Sequence, residues 1–253
     1  MRKPLLLLVV LCLAATVAVA QMPAPTVCEI HLNKVKPGAT SQYEQGRAKH
    51  MAWHKSQNDT WSWITWEMTT GENTGNYLVS SCNHPWKDFD TRDKFNVADG
   101  ANANSTMGAY LAGETMSYYV HRADLSSPMQ PGPPPPYIEV IHFFLKPEGF
   151  TDFNDAVKKI GAGIAKTNYP VSHADWYQLA NGGRGPEMVL VLEHKTIGDL
   201  AGPGKPLDAM MREAYGDQGA GIMESLRKAY YRSESELLHF RSDLSYLAPA
   251  AKP

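Results

Sequence analysis

Two segments of this chain end in the same short motif, and the residues before each motif follow a similar order. Residues 119–126 read Tyr-Val-His-Arg-Ala-Asp-Leu-Ser, and residues 238–245 read Leu-His-Phe-Arg-Ser-Asp-Leu-Ser. Strand patterns that end in Lys-Pro and are followed by a glycine occur at residues 27–38 and 137–149. Self-similarity at a fixed spacing indicates an internal repeat. The sequence therefore predicts two related halves, which limits the folds available to the chain.

A proline-rich segment separates these halves. Residues 127–136 end in four consecutive prolines, which favour an extended polyproline II spacer and cannot join a helix or a central strand. We therefore predict a first half at residues 21–126, a linker at 127–136, a second half at 137–246 and a C-terminal tail at 247–253.

The first twenty residues have the layout of a secretory signal peptide. Arg2 and Lys3 precede an apolar run that ends at the small-x-small site Ala18-Val19-Ala20. A membrane anchor is the alternative, but a spanning helix needs roughly 20 apolar residues and this run is shorter. The sequence predicts a signal peptide at residues 1–20 and an exported mature chain, periplasmic or secreted, with no membrane association after cleavage.

The charge balance argues against a nucleic-acid partner. Lys and Arg total 24 and Asp and Glu total 26, and no basic face stands out. Proteins that bind nucleic acid carry a clustered positive surface. A small molecule is the partner that we expect instead.

Each half has the pattern strand, helix, strand, strand, helix, strand. Such a half forms a four-stranded antiparallel sheet with both helices on one face, and the other face needs a partner. Two halves supply it for each other. We predict an α+β fold of two ferredoxin-like βαββαβ repeats whose sheets pack face to face as an intramolecular pseudo-dimeric barrel. We expect a monomer. A dimer in which two chains exchange halves is the alternative, because the linker could permit the exchange.

This pattern resembles the dimeric α+β barrel superfamily of ferredoxin-like folds, and within it the NIPSNAP and antibiotic-biosynthesis-monooxygenase type domains. The resemblance covers nearly all of the mature chain. It rests on the element order, the turn after the first strand of each half and a tryptophan-rich second strand, which are architectural features. The resemblance implies that the chain is a cofactor-independent oxygenase, a haem-binding protein or a domain without known activity. It therefore leaves open whether the chain is an enzyme.

The first strand alternates between apolar and polar residues, which lie on opposite faces. Cys28 begins the apolar set, which we expect under the helices. Glu29, His31 and Asn33 form the polar set, which we expect to point into the space between the two sheets. The other residues predicted to line this pocket are Trp61, Trp63, Tyr118, Glu139 and Trp176. His31 is the candidate catalytic residue, as a general base near neutral pH. The alternative is that His31 is an interior histidine whose hydrogen bonds are satisfied and which has no catalytic role.

Cys28 and Cys82 are the cysteines of the predicted mature chain. Cys28 opens the first strand and Cys82 closes the third, and antiparallel neighbours bring those ends together. We predict that the two residues lie close to each other, and the sequence leaves open whether they form a disulfide.

His50 and His54 are four residues apart on the predicted first helix, so they share one face. With a third ligand they can hold a divalent metal ion, although such pairs are also common on solvated helices. No cofactor is predicted; haem or a divalent metal at the first-half histidines is the alternative. Residues 90–105 are rich in Asn, Asp, Ala and Gly and are expected to interrupt the second helix.

Three functional hypotheses follow. The first is an exported protein that binds a small apolar or aromatic molecule between the two sheets. The second is a cofactor-independent monooxygenase-like enzyme with His31 as its base. The third is a haem or metal protein that uses first-half histidines. A structural module in which side chains fill the space between the sheets is the remaining alternative.

Overall fold

The computed structural model describes residues 25–128 and 132–249. The predicted signal peptide lies outside the described residues, as do residues 129–131 of the predicted linker and residues 250–253 of the tail. Within the described ranges, no helix has the length and apolar character needed to cross a membrane.

The first half contains four strands and three α-helices. Its elements are β1 (Val27–Val35), α1 (Thr40–Ser56), β2 (Ile64–Met68), β3 (Tyr77–His84), α2 (Trp86–Thr91), α3 (Asp93–Thr106) and β4 (Leu111–His121). The second half follows the same order. Its elements are β5 (Tyr137–Leu145), α4 (Phe150–Thr167), β6 (Ala174–Asn181), β7 (Glu187–His194), α5 (Leu207–Tyr215), α6 (Gln218–Ala229) and β8 (Tyr230–Phe240).

The eight strands close into one antiparallel barrel in the order β1-β3-β2-β8-β5-β7-β6-β4. The two four-stranded sheets face each other, as expected, but they are also joined along both edges. Strand β2 pairs with β8, and β4 pairs with β6. Edge strands otherwise present unpaired N–H and C=O groups. Edge pairing between the halves therefore removes the exposed edges of both sheets.

A cluster of apolar side chains packs in the barrel interior. The buried residues of this cluster come only from strands, and they are Trp66, Met68, Ile138, Val140, Val189 and Leu238. Further clusters combine one face of the sheet with a helix, such as Met51 of α1 with Trp61 and Trp63. The helices thus cover the outer surface of the barrel.

The structure reverses the predicted facing of strand β1. Leu32 packs against the barrel interior, whereas the Asn33 side chain donates a hydrogen bond to the Tyr43 hydroxyl of α1. The polar set therefore lies under the helices, and its prediction as a lining between the sheets is wrong. The interior of an eight-stranded barrel is just wide enough to be filled by side chains, so it takes the apolar set.

Helix α3 forms where the sequence predicts an irregular segment. The asparagines and glycine of residues 93–106 are poor helix formers. Helix α3 packs against α1, and such tertiary contacts override weak local propensity.

Cys28 and Cys82 form a disulfide. The bond joins β1 to β3, which are antiparallel neighbours in the sheet. It fixes the end of the strand that carries Glu29 and His31.

Candidate functional site

A cavity of about 530 Å³ lies between the first-half sheet and helices α1 and α3. Its polar lining comes from four elements. These residues include Glu29, His31 and Asn33 of β1, Arg47, His50 and His54 of α1, Asp99 of α3, and Glu114 and Tyr118 of β4. The cavity is outside the barrel, so the space predicted between the sheets is not where the structure places a pocket of this size.

Two histidines and one carboxylate converge at the wall of this cavity. The His50 and His54 Nε2 atoms are 3.2 Å apart. Each of these Nε2 atoms is also 3.2 Å from Asp99 Oδ1. The three atoms therefore form a triangle with equal sides, contributed by two adjacent turns of α1 and by α3.

The other ring nitrogen of His54 is held by a buried carboxylate. His54 Nδ1 lies 2.9 Å from Asp59 Oδ2. Asn58 has a left-handed backbone, with φ of 52°, a conformation that asparagine tolerates at the end of a helix. This turn brings Asp59 back under His54, whose carbonyl accepts a hydrogen bond from the Asp59 N–H.

Asp59 is itself fixed by several donors. Arg92 donates to both carboxylate oxygens, at 2.8 and 3.1 Å. The Trp63 indole N–H donates to Oδ2 at 3.0 Å, and the Trp61 backbone N–H donates to Oδ1 at 3.1 Å. Burial alone would raise the pKa of Asp59, but these donors hold it well below its usual range. Asp59 is therefore ionised and orients His54.

The corresponding nitrogen of His50 is also engaged. His50 Nδ1 lies 2.9 Å from Asn102 Oδ1. An amide oxygen only accepts hydrogen bonds, so the proton resides on His50 Nδ1. Because Asp59 likewise accepts from His54 Nδ1, both Nε2 atoms direct lone pairs towards Asp99 when the two imidazoles are neutral.

Three acceptor atoms thus meet without a donor between them. Asp99 Oδ1 is buried and has no hydrogen-bond partner among the described residues. Burial alone would lower the pKa of His54, but Asp59 and Asp99 raise it. The arrangement therefore favours a positive charge at the centre of the triangle, supplied by a proton or by a metal ion.

The triangle has suitable dimensions for a divalent metal ion. With sides of 3.2 Å, the three donor atoms are close enough together for one ion to be held by all of them at usual metal–ligand distances of about 2.0–2.2 Å. Hydrogen bonds that fix the second nitrogen of each histidine are typical of metal-ligating histidines. The three residues therefore fit a metal ion that is exposed to the cavity on one side.

The three histidines predicted as haem candidates, His31, His50 and His54, do not fit haem. Haem iron takes an axial side chain such as a histidine nitrogen, and the macrocycle then extends across that nitrogen. The Nε2 atoms of His50 and His54 are crowded by each other and by Asp99 at 3.2 Å. Both nitrogens of His31 are occupied by carboxylates. None of these three imidazoles therefore has a nitrogen with enough free space around it to bind haem iron.

His31 lies across the cavity between two carboxylates. Its Nδ1 is 2.7 Å from Glu114 Oε1, and its Nε2 is 2.7 Å from Glu29 Oε1. Burial alone would lower the pKa of His31, but the two carboxylates raise it to about 9. At neutral pH the ring is an imidazolium that donates to both, so the predicted role as a general base requires a proton to leave this clamp first.

The structure separates the predicted pocket residues into two groups. Trp63 and Tyr118 line the cavity together with Glu29, His31 and Asn33. Trp61 instead stacks on His84, with ring centroids 3.6 Å apart, and lies beneath Arg92.

The two second-half residues of the predicted pocket lie elsewhere. Trp176 belongs to a buried cluster with Phe153 and Val157 of α4. Glu139 lies 3.5 Å from His194. The region under the second-half helices is therefore filled where the first half has its cavity.

Gly46 allows α1 to approach the end of α3. An added Cβ would lie 2.3 Å from the Thr106 carbonyl oxygen, so Gly46→Ala must push the helices apart. We expect a loss of about 1–3 kcal/mol in the free energy of unfolding and weaker metal uptake, measured by urea denaturation and cobalt titration. Gly161→Ala in α4 is the control, because its Cβ meets nothing within 4 Å. It should stabilise by about 0.5–1 kcal/mol. Equal stabilities of the two variants would contradict the expectation.

No known protein-family model matches the chain, and no curated protein matches it. Solved structures do match. A candidate monooxygenase from Fusobacterium nucleatum is 10% identical, with a TM-score of 0.59 over 87% of this chain and 94% of that one. An anthrone oxidase-like protein is 14% identical, with a TM-score of 0.52 over 91% and 98%. A chlorite dismutase variant from Candidatus Nitrospira defluvii is 9% identical, with a TM-score of 0.54 over 86% and 92%.

The chain has the dimeric α+β barrel fold. Antibiotic-biosynthesis-monooxygenase-like and chlorite dismutase-like structures share this ferredoxin-like architecture. At these identities the likeness shows the fold and leaves the chemistry to the residues of the site.

Proposed function

We propose that this chain is a metal-dependent enzyme that oxidises a small molecule in the first-half cavity, with dioxygen as the oxidant. The observation that carries the proposal is the convergence of His50 Nε2, His54 Nε2 and Asp99 Oδ1 at mutual distances of 3.2 Å. Two histidines and one carboxylate on one side of a metal ion leave positions open for other ligands, and this donor set is typical of non-haem Fe(II) oxygenases.

The cavity residues have separate roles in this proposal. Asp59 and Asn102 orient the two histidines. Trp63 and Tyr118 supply aromatic surface, and the imidazolium of His31, held between Glu29 and Glu114, places a positive charge beside the bound substrate. The names of the structural neighbours, a candidate monooxygenase and an anthrone oxidase-like protein, support oxidation as the reaction class.

The location of the ligand differs from our sequence-based hypothesis. The barrel interior contains the apolar cluster around Trp66 and Leu238. The 530 Å³ cavity is lined by charged and aromatic groups together. We propose a ligand with a polar group and an aromatic or apolar part, bound under the helices.

We further propose that the mature chain is exported and acts as a monomer. Its cysteine pair suits an oxidising compartment, and barrel closure within one chain leaves both sheet edges paired. The repeated Arg-x-Asp-Leu-Ser motif supports an origin of the halves by duplication, and the turn after the first strand supports a relationship to NIPSNAP domains.

Metal content tests the central proposal. The protein purified without chelator, or reloaded with Co(II) or Fe(II), should contain one metal ion per chain. Inductively coupled plasma mass spectrometry measures this metal content. Asp99→Asn should bind less than about a tenth as much, while its unfolding temperature without metal should not fall. An asparagine N–H can donate to the histidine lone pairs, so this variant should fold.

The control variant addresses a second group of metal-ligating side chains. His173, Asp175 and Glu193 also lie close enough to hold an ion, so His173→Gln should retain full metal content if the first-half site is the relevant one. Nitric oxide should bind to the Fe(II)-loaded protein, because a catalytic site keeps an open position. Metal that persists in Asp99→Asn, or an Fe(II) site closed to nitric oxide, would contradict the proposal.

A further inference from the structure

Arg47 carries a buried charge that no acidic side chain neutralises directly. It lies on α1, is 3% exposed and lines the cavity. Its Nε donates to the Thr65 hydroxyl and to the Leu244 carbonyl oxygen, at 3.2 and 3.3 Å. Nη2 is buried and has no hydrogen-bond partner within the described ranges. A buried charge without a partner is costly, and buried charges in proteins are normally paired.

Arg47 and the proposed metal ligands lie along one side of α1. Arg47 precedes His50 by three residues and His54 by seven, and residues with these spacings share a helix face. All three line the same cavity. The guanidinium is therefore about one helical turn from the metal triangle, a separation that a small molecule in the cavity can bridge.

The charges around the cavity define the charge of that molecule. Three carboxylates line it, from Glu29, Asp99 and Glu114, against the guanidinium of Arg47 and the imidazolium of His31. These five groups sum to a formal charge of minus one, and a bound divalent metal ion changes this to plus one. A monoanion then neutralises the cavity, whereas a phosphate dianion would overcompensate.

A second unpartnered atom lies in the same lining. Asn33 Oδ1 is buried without a hydrogen-bond partner among the described residues, while its amide nitrogen donates to Tyr43. This oxygen can accept a hydrogen bond from a hydroxyl or N–H group of a ligand. The cavity thus offers a cation for an anionic group and an acceptor for a neutral one.

We infer that the cavity binds a small organic monocarboxylate whose carboxylate group pairs with Arg47. Guanidinium and carboxylate match in geometry and form two parallel hydrogen bonds. The pairing with Arg47 follows from the described side chains, and the expected help from a neighbouring metal ion rests on the proposed function. The inference narrows the substrate class to carboxylic acids.

Calorimetric titration with matched pairs of ligands tests this inference. The probes are acetate, benzoate and mandelate, each compared with its neutral amide, added to the Co(II)-loaded protein. At least one carboxylate should bind about tenfold more tightly than its amide, because a hydrogen bond to a charged partner is worth about 1.5–3 kcal/mol. Arg47→Met should abolish this preference, and Arg47→Lys should retain part of it.

The visible spectrum of bound Co(II) separates the two proposals. A preference that persists in Arg47→Met with an unchanged spectrum would overturn the inference, as would the absence of any preference in the wild-type protein. If the wild-type protein takes up no cobalt, the proposed function fails, and the same titrations on the metal-free protein decide the pairing with Arg47. If Arg47→Met does not fold, Arg47→Lys and the metal-free wild-type protein, in which no metal ion attracts the carboxylate, decide the pairing with Arg47.

Discussion

Asp59→Asn is expected to lower the free energy of unfolding by about 3–5 kcal/mol, because it leaves a buried arginine without its partner. The Asp59 side chain is 1% exposed and that of Arg92 is 9% exposed, so little water can replace the lost interactions. The measurement is urea denaturation of the chelator-treated protein, since bound metal would add its own stabilisation.

The same substitution should weaken metal binding by about 10–100-fold, because Asp59 orients His54 and raises its basicity. Asp90→Asn is the matched control. Asp90 is exposed at the end of α2, and its substitution should change stability by less than about 0.5 kcal/mol. A loss below about 1 kcal/mol for Asp59→Asn would show that the buried pair does not hold this part of the fold.

The pH dependence of the Asp59 effect has a defined sign. The folded-state pKa of Asp59 lies below its unfolded value, so its stabilisation is complete above about pH 4 and declines as the pH falls through the folded-state pKa. Asp59 also raises the pKa of His54, and the stabilisation from a raised histidine pKa declines above the unfolded value of about 6.5. The stability difference between the wild-type protein and Asp59→Asn should therefore be constant from about pH 5 to 6. It should shrink in strong acid.

The order of elements was accessible from the sequence because strands and helices have different hydrophobic periods. Those periods do not determine which face of a strand meets water. The alternation in β1 correctly separated Leu32 from Asn33, yet the polar set lies under the helices. That outcome depends on closure of the barrel, a property of all eight strands that no single strand pattern reports.

Only part of the triangle formed by His50, His54 and Asp99 could be predicted from the sequence. The spacing of His50 and His54 placed them on one helix face. Asp99 was missed because the asparagines and glycine around it suggested an irregular segment, whereas packing on α1 makes that segment a helix. The spacing of Asp99 and Asn102, three residues apart on α3, becomes informative only once the helix is known.

Arg47 and Asp59 gave no signal beyond their residue types. Most arginines and aspartates are exposed, and the burial of these two follows from tertiary packing. Both lie close in sequence to the histidine pair.

Loss of the Cys28–Cys82 disulfide is expected to lower the free energy of unfolding by about 4 kcal/mol, since the bond spans 54 residues of sequence and restricts the unfolded chain. The test compares the wild-type protein, with and without reductant, to a double variant with Cys28→Ala and Cys82→Ala. Reduced wild-type protein should match the double variant, and reductant should not affect the double variant. Two titratable thiols in the oxidised mature protein would contradict the bond.

The disulfide also makes the stability of the strand that lines the cavity depend on the redox conditions in which the chain folds. Strand β1 carries Glu29, His31 and Asn33, and the bond fixes the start of this strand to β3. Protein recovered from a reducing cytoplasm should therefore unfold at lower urea concentration than protein recovered from the periplasm, and oxidation in vitro should remove the difference. Equal stability of the two preparations, with thiols free in one and absent in the other, would mean that strand pairing alone holds β1 in place.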